Sequence, residues 1–105
     1  YVGAVSISAN GEYIAAGSND DKVYLFDKES GTPVWSRSTY GNVLAVAISA
    51  DGEYIVAGSS NNWVNLFDRD NSTPLWTYST NDNVRGVAIS AEGEYIAVSY
   101  WGDEV

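Results

Sequence analysis

Between Val43 and Ser49 the side chains alternate, with Val46 and Ile48 on one track and Ala45 and Ala47 on the other. A period of two is that of a β-strand, whose successive side chains point to opposite faces. Asp51-Gly52 follows, a pair suited to a tight hairpin because Gly accepts positive φ at no steric cost and Asp tolerates the turn. Tyr54 to Gly58 predicts a second strand, Ser59 to Asn62 a turn, and Trp63 to Asp68 a third strand rich in β-formers. After a polar turn and Pro74, Leu75 to Thr80 predicts a fourth. No window sustains a helical period. The predicted fold class is all-β.

The same pattern occurs three times. ANGEYIAAGS from Ala9 returns as ADGEYIVAGS from Ala50 and as AEGEYIAVSY from Ala91, with Val5, Val46 and Val87 evenly offset. The second half of the unit occurs twice, as KVYLFDKESGTPVW ending at Trp35 and WVNLFDRDNSTPLW ending at Trp76. Tyr13, Tyr54 and Tyr95 set a period of about 41 residues, within the roughly 40–45 of four-stranded propeller repeats. The predicted architecture is therefore a set of four-stranded antiparallel β-propeller blades: residues 2–42, residues 43–83, and the first half of a third at 84–105.

Two family likenesses sit on these residues. Val43 to Ser59 (VLAVAISADGEYIVAGS) resembles the first half of a WD-repeat blade. Leu25 to Trp35 (LFDKESGTPVW) resembles the tryptophan-docking segment of pyrroloquinoline-quinone (PQQ)-type, quinoprotein-like propeller repeats, and the combination looks prokaryotic. The resemblance implies that Trp35 and Trp76 dock against the adjacent blade and that Asp27 and Asp68 support that docking. Two WD hallmarks are missing: no Gly-His pair is present, and Phe26-Asp27 stands where Trp-Asp would be. Small residues such as Ala45, Ala47, Ala57 and Gly58 suit inner strands that converge on a channel, and Phe67 and Trp76 suit the wider periphery.

Composition narrows the function. With 14 Asp+Glu against 5 Lys+Arg the net charge is −9, which argues against nucleic acid, whose affinity depends on neutralising phosphates. It also disfavours anionic membranes, and no apolar stretch reaches the roughly 18 residues of a membrane span. Cys, His and Met are absent, removing disulfides, thiolate nucleophiles, imidazole bases and His-based metal sites. Lack of cysteine favours an extracellular or cell-surface setting in a prokaryote. The start at Tyr1 and the stop at Val105, in mid-blade, suggest part of a larger propeller or an engineered or excised piece.

Positions kept between copies serve the fold, whereas positions that differ are free for function. Asp27, Asp68, Glu12, Glu53 and Glu94 recur and are expected in turn and strand-end hydrogen bonds. Variation gathers in two connections, where Asn19-Asp20-Asp21-Lys22 becomes Ser60-Asn61-Asn62-Trp63 and Tyr40-Gly41-Asn42 becomes Asn81-Asp82-Asn83. Beside them Arg37 becomes Tyr78 and Leu44 becomes Arg85. The predicted partner-binding residues are Trp63, Tyr78, Arg85, Trp101, Asp20 and Tyr40, of which the Trp, Tyr and Arg are types enriched at binding hot spots. Asp68-Arg69-Asp70-Asn71 alternates oxygen ligands but lacks the later Gly and Glu of a calcium loop.

No catalytic, cofactor or metal site is predicted. The expected function is a non-catalytic scaffold presenting channel-mouth loops to a protein or glycan partner, with self-association of open blade faces as a further expectation. A PQQ-dependent dehydrogenase-like propeller is the enzymatic alternative, and it finds few cations here to hold an anionic quinone.

Overall fold

The computed structural model describes residues 2–39, 41–60, 62–80 and 84–100, excluding the side chains of Val2 and Tyr100. The first sheet runs β1 (Val2–Ile7), β2 (Tyr13–Ser18), β3 (Lys22–Asp27) and β4 (Trp35–Ser38). The second runs β5 (Val43–Ile48), β6 (Tyr54–Ser59), β7 (Trp63–Asp68) and β8 (Trp76–Ser79). The described part of the third is β9 (Val84–Ile89) and β10 (Ile96–Tyr100). Each sheet is an antiparallel meander with strands in chain order, and the first two have four strands. The chain is all-β and consists of β-propeller blades.

Turn chemistry fixes the meander. Gly11, Gly52 and Gly93 adopt φ of 73°, 75° and 78°, the left-handed region that a side chain disfavours. In the second blade the Ser49 hydroxyl donates to Asp51 Oδ1 (2.6 Å), which also accepts the Glu53 amide (3.0 Å). In the first blade Asn10 Oδ1 takes the same two donors, from Ser8 and Glu12. At the opposite end of the strands Asp21 and Asn62 adopt φ of 72°, which short polar side chains tolerate best among non-glycine residues.

Register decides which face meets which. Ala15 pairs with Leu25 and Gly17 with Val23, so these residues share the face that looks onto the second blade. Across from them stand Val43, Ile48, Ile55, Ala57 and Phe67, closing the first core. The second core repeats the arrangement, with Val56, Val64 and Leu66 against Val84 and the half-buried Val87 and Ile89. A bulge between Val43 and Ala45 lets Val43 share a face with Val46 in spite of their odd spacing.

The blades approach closely where glycine allows it. A Cβ at Gly17 would lie 2.8 Å from Val43 Cβ, and a Cβ at Gly58 would lie 2.8 Å from Val84 Cβ. Tyr13 packs over the turn at Gly52, and Tyr54 over Gly93. The Ala9 amide donates to the Ala50 carbonyl (3.1 Å), and the Ala50 amide to the Ala91 carbonyl (3.1 Å). Each blade therefore grips the next through a Val-to-Gly contact, a Tyr-to-turn contact and a backbone hydrogen bond.

Candidate functional site

The connections that vary between repeats lie at one end of the strands and are hydrogen-bonded together. The Thr39 amide donates to the Asp21 carbonyl (2.7 Å), as the Thr80 amide does to Asn62 (2.7 Å). The Ser60 amide donates to the Asn42 carbonyl (2.8 Å), linking the β6–β7 turn to the crossover between the two blades. Backbone and hydroxyl bonds thus brace this end while leaving its side chains on view.

Below the rim, between the outer strands of the first two blades, is a cleft of about 190 Å³. Trp63, Arg37, Asn65, Phe67 and Pro74 line it. Trp63 is 40% exposed, whereas Phe67 forms the closed floor. Asn65 is buried and polar where the first repeat has Tyr24, a substitution in a β-forming slot that sequence reasoning passed over. The cleft combines an open indole, a guanidinium and an amide on an apolar base. It sets apolar, cationic and amide contacts side by side.

The described residues of the predicted partner-binding set share an end but not a face. Trp63 pairs with Ser79 and Tyr78 with Val64, so the two side chains leave the second blade in opposite directions. Tyr78 is exposed and lines a separate cleft of about 410 Å³ with Val64, Leu66, Trp76 and Ile96. Asp20 belongs to the outer face of the first blade, where its carboxylate accepts from the Ser18 hydroxyl and from Tyr24 Oη (2.6 Å). The Ser18 bond first, and then Tyr24, holds the Asp20 carboxyl below its ordinary value; the same bond raises the Tyr24 phenol. Arg85 is exposed on β9. Tyr40 and Trp101 lie outside the described residues.

The docking residues divide as well. Trp35 Nε1 donates to the Arg69 carbonyl (2.8 Å), and its ring meets Phe67 at 5.1 Å between centroids. Arg69 in turn lies over Tyr13 of the first blade, 4.8 Å from the ring centre. Trp76, its counterpart in the second blade, is 43% exposed. It faces the side of the third blade, where the described strands are β9 and β10, and the counterpart of β7 is not among them. Asp27 and Asp68 cap the β3–β4 and β7–β8 turns, accepting the Glu29 and Asp70 amides at 2.9 Å each. Asn71 Oδ1 accepts from Thr73 (2.9 Å), so the alternating oxygens after Asp68 close turns. Among the described residues no group of three or more His, Cys, Asp or Glu could hold a metal ion.

The profile of the WD40 family (WD domain, G-beta repeat) matches residues 1–27 and 31–68, more than half of the chain. The chain belongs to the WD40 repeat family. WD40 repeats generally act as non-catalytic scaffolds for protein interaction. A search of the curated proteins returns no match. In WD40 terms the first matched segment closes at Asp27, the turn cap, and the second carries Trp35 and the β5–β6 hairpin through to Asp68.

The hairpin carries a pH dependence. The Ser49 hydroxyl first, and then the Glu53 amide, lowers the Asp51 carboxyl from its ordinary 3.8. A depressed native pKa gives stability that is present above the unfolded value and lost as pH falls through the native one. Asn10 makes the same two bonds without titrating. Asp51→Asn is therefore expected to melt like the wild type at neutral pH. It should lose less stability between roughly pH 4 and pH 2. Melts across that range check this; parallel losses in the two proteins would refute the assignment.

Proposed function

We propose that this WD40 chain is a protein-binding scaffold whose contact surface is the strand end carrying the β2–β3, β4–β5 and β6–β7 connections. Its anchor point is the cleft of Trp63, Arg37 and Asn65. The observation carrying this reading is the half-open Trp63 indole beside Arg37, over a floor closed by Phe67. Trp and Arg dominate interface energetics because they combine large contact area with directional polar groups. The acidic balance of the chain leaves Arg37 as a local exception, which favours an acidic or amide-bearing segment beside an apolar anchor.

A random displayed peptide library selected on the intact chain tests this reading. Selected peptides should lose about tenfold or more in affinity for Trp63→Ala and for Arg37→Ala, the effect of removing a hot-spot side chain. Asp70→Asn, at the other end of the strands, should leave affinity unchanged. Peptides that bind all three variants like the wild type would sink the proposal.

A further inference from the structure

Asn65 is buried without a partner for its side chain. It is 7% exposed, and among the described residues nothing hydrogen-bonds its carboxamide. By register Ala57 of β6 and Thr77 of β8 stand beside it, and Ala57 has no polar group to offer. In the first repeat the same slot holds Tyr24, whose hydroxyl donates to Asp20 (2.6 Å) and is satisfied within the chain. A buried amide costs free energy unless it is paired. Among the described residues no side-chain nitrogen or oxygen is both sealed from the surface and unpaired, so the Asn65 amide opens into the cleft that it lines.

The shape of that cleft narrows what can answer the amide. Trp63, Asn65 and Phe67 line it as alternate residues of β7, and Arg37, Ser38 and Thr39 as successive residues on the edge strand of the first sheet and just beyond it. The lining follows the strands. From Trp63 to Phe67 it runs roughly 13 Å, the length of about four extended residues. Its volume of about 190 Å³ is smaller than one turn of an α-helix, which is about 10 Å across and about 5.4 Å high.

Resting on the scaffold reading above, we infer that Asn65 hydrogen-bonds the main chain of the bound segment, which lies extended along β7. A carboxamide has a carbonyl that accepts and an NH₂ that donates. A peptide backbone offers the complement of both, whichever way the amide is turned. A carboxylate answers only the donors, and a cation only the acceptor. Recognition therefore divides: Asn65 holds the backbone of the segment whatever its sequence, while Trp63 and Arg37 read the side chains that flank it.

The test remakes peptides selected on the intact chain with single backbone esters, each exchanging one N–H for an oxygen. One ester position should weaken binding to the wild type about fivefold or more, the scale of one lost hydrogen bond. Asn65→Leu, close to Asn in size, should weaken the parent peptide about tenfold and abolish the further effect of that ester. Since the amide has no partner inside the fold, Asn65→Leu should unfold at the denaturant midpoint of the wild type or above it. A clear drop in midpoint would place the amide's partner within the protein and overturn the inference. Esters that cost the same in the wild type and in Asn65→Leu, with Trp63→Ala and Arg37→Ala still harmful, would also overturn it, and the scaffold reading would stand. Affinity lost in Asn65→Leu but untouched by Trp63→Ala and Arg37→Ala would overturn the anchor assigned to those two and leave this inference in place.

Discussion

Phe67→Ala is expected to destabilise the fold by about 3–5 kcal/mol, the range for truncating a buried aromatic in a packed core. Phe67 is fully buried. It pairs with Ile55 on its own sheet and forms the surface against which Trp35 of the first blade rests. Its loss removes transfer energy, leaves a cavity between two sheets, and undercuts the indole whose hydrogen bond reaches Arg69. Phe26 occupies the same position in the first repeat, but on the outer face, where it stacks with Tyr24 and stays half-buried. Phe26→Ala should therefore cost only about 1 kcal/mol, since little of its apolar area returns to water on unfolding. Denaturant unfolding of the two variants separates the cases. Equal losses would mean that interblade packing is not the source of the stability.

The contrast between two phenylalanines in one motif shows what a sequence can and cannot carry. The strands were legible because alternation, hairpin glycines and the spacing of Tyr13, Tyr54 and Tyr95 all act within a few residues of themselves. The turn roles of Asp27 and Asp68 were legible for the same reason. The face a residue occupies was not. Whether Tyr78 leaves with Trp63 or against it depends on register across the connection from Asp68 to Trp76, and the pairing of Val64 with Tyr78 sends the two apart. The bulge at Val43 and Ala45 likewise shifts parity by one without any residue that announces it. The docking of Trp35 likewise depends on what the neighbouring sheet places opposite, here Phe67 and the Arg69 carbonyl, which its own local motif does not specify.

Gly58→Ala is the second large effect, expected to cost about 3 kcal/mol, at the upper end of what overpacking does to a tight core. The added methyl would sit 2.8 Å from Val84 Cβ and closer still to Cγ1. Val84 is fully buried and β-branched, with one favoured rotamer and little freedom to swing aside. Separating the sheets instead would stretch the Ala50–Ala91 hydrogen bond and lift Tyr54 from the Gly93 turn. Conformational strain is not the cause, because Gly58 lies in an ordinary strand and is absent from the positive-φ glycines. The overlap is with a single neighbour, and since its Cβ alone lies 2.8 Å from the added methyl, only glycine at position 84 relieves it. Val84→Gly alone is expected to lose about 3 kcal/mol to the cavity it opens and to the entropy of glycine in a strand. The double variant should be about as stable as Val84→Gly alone, a coupling of roughly 2–3 kcal/mol between residues in contact. A four-way denaturation cycle measures it. Simple additivity would show that Gly58 and Val84 do not set the approach of the blades.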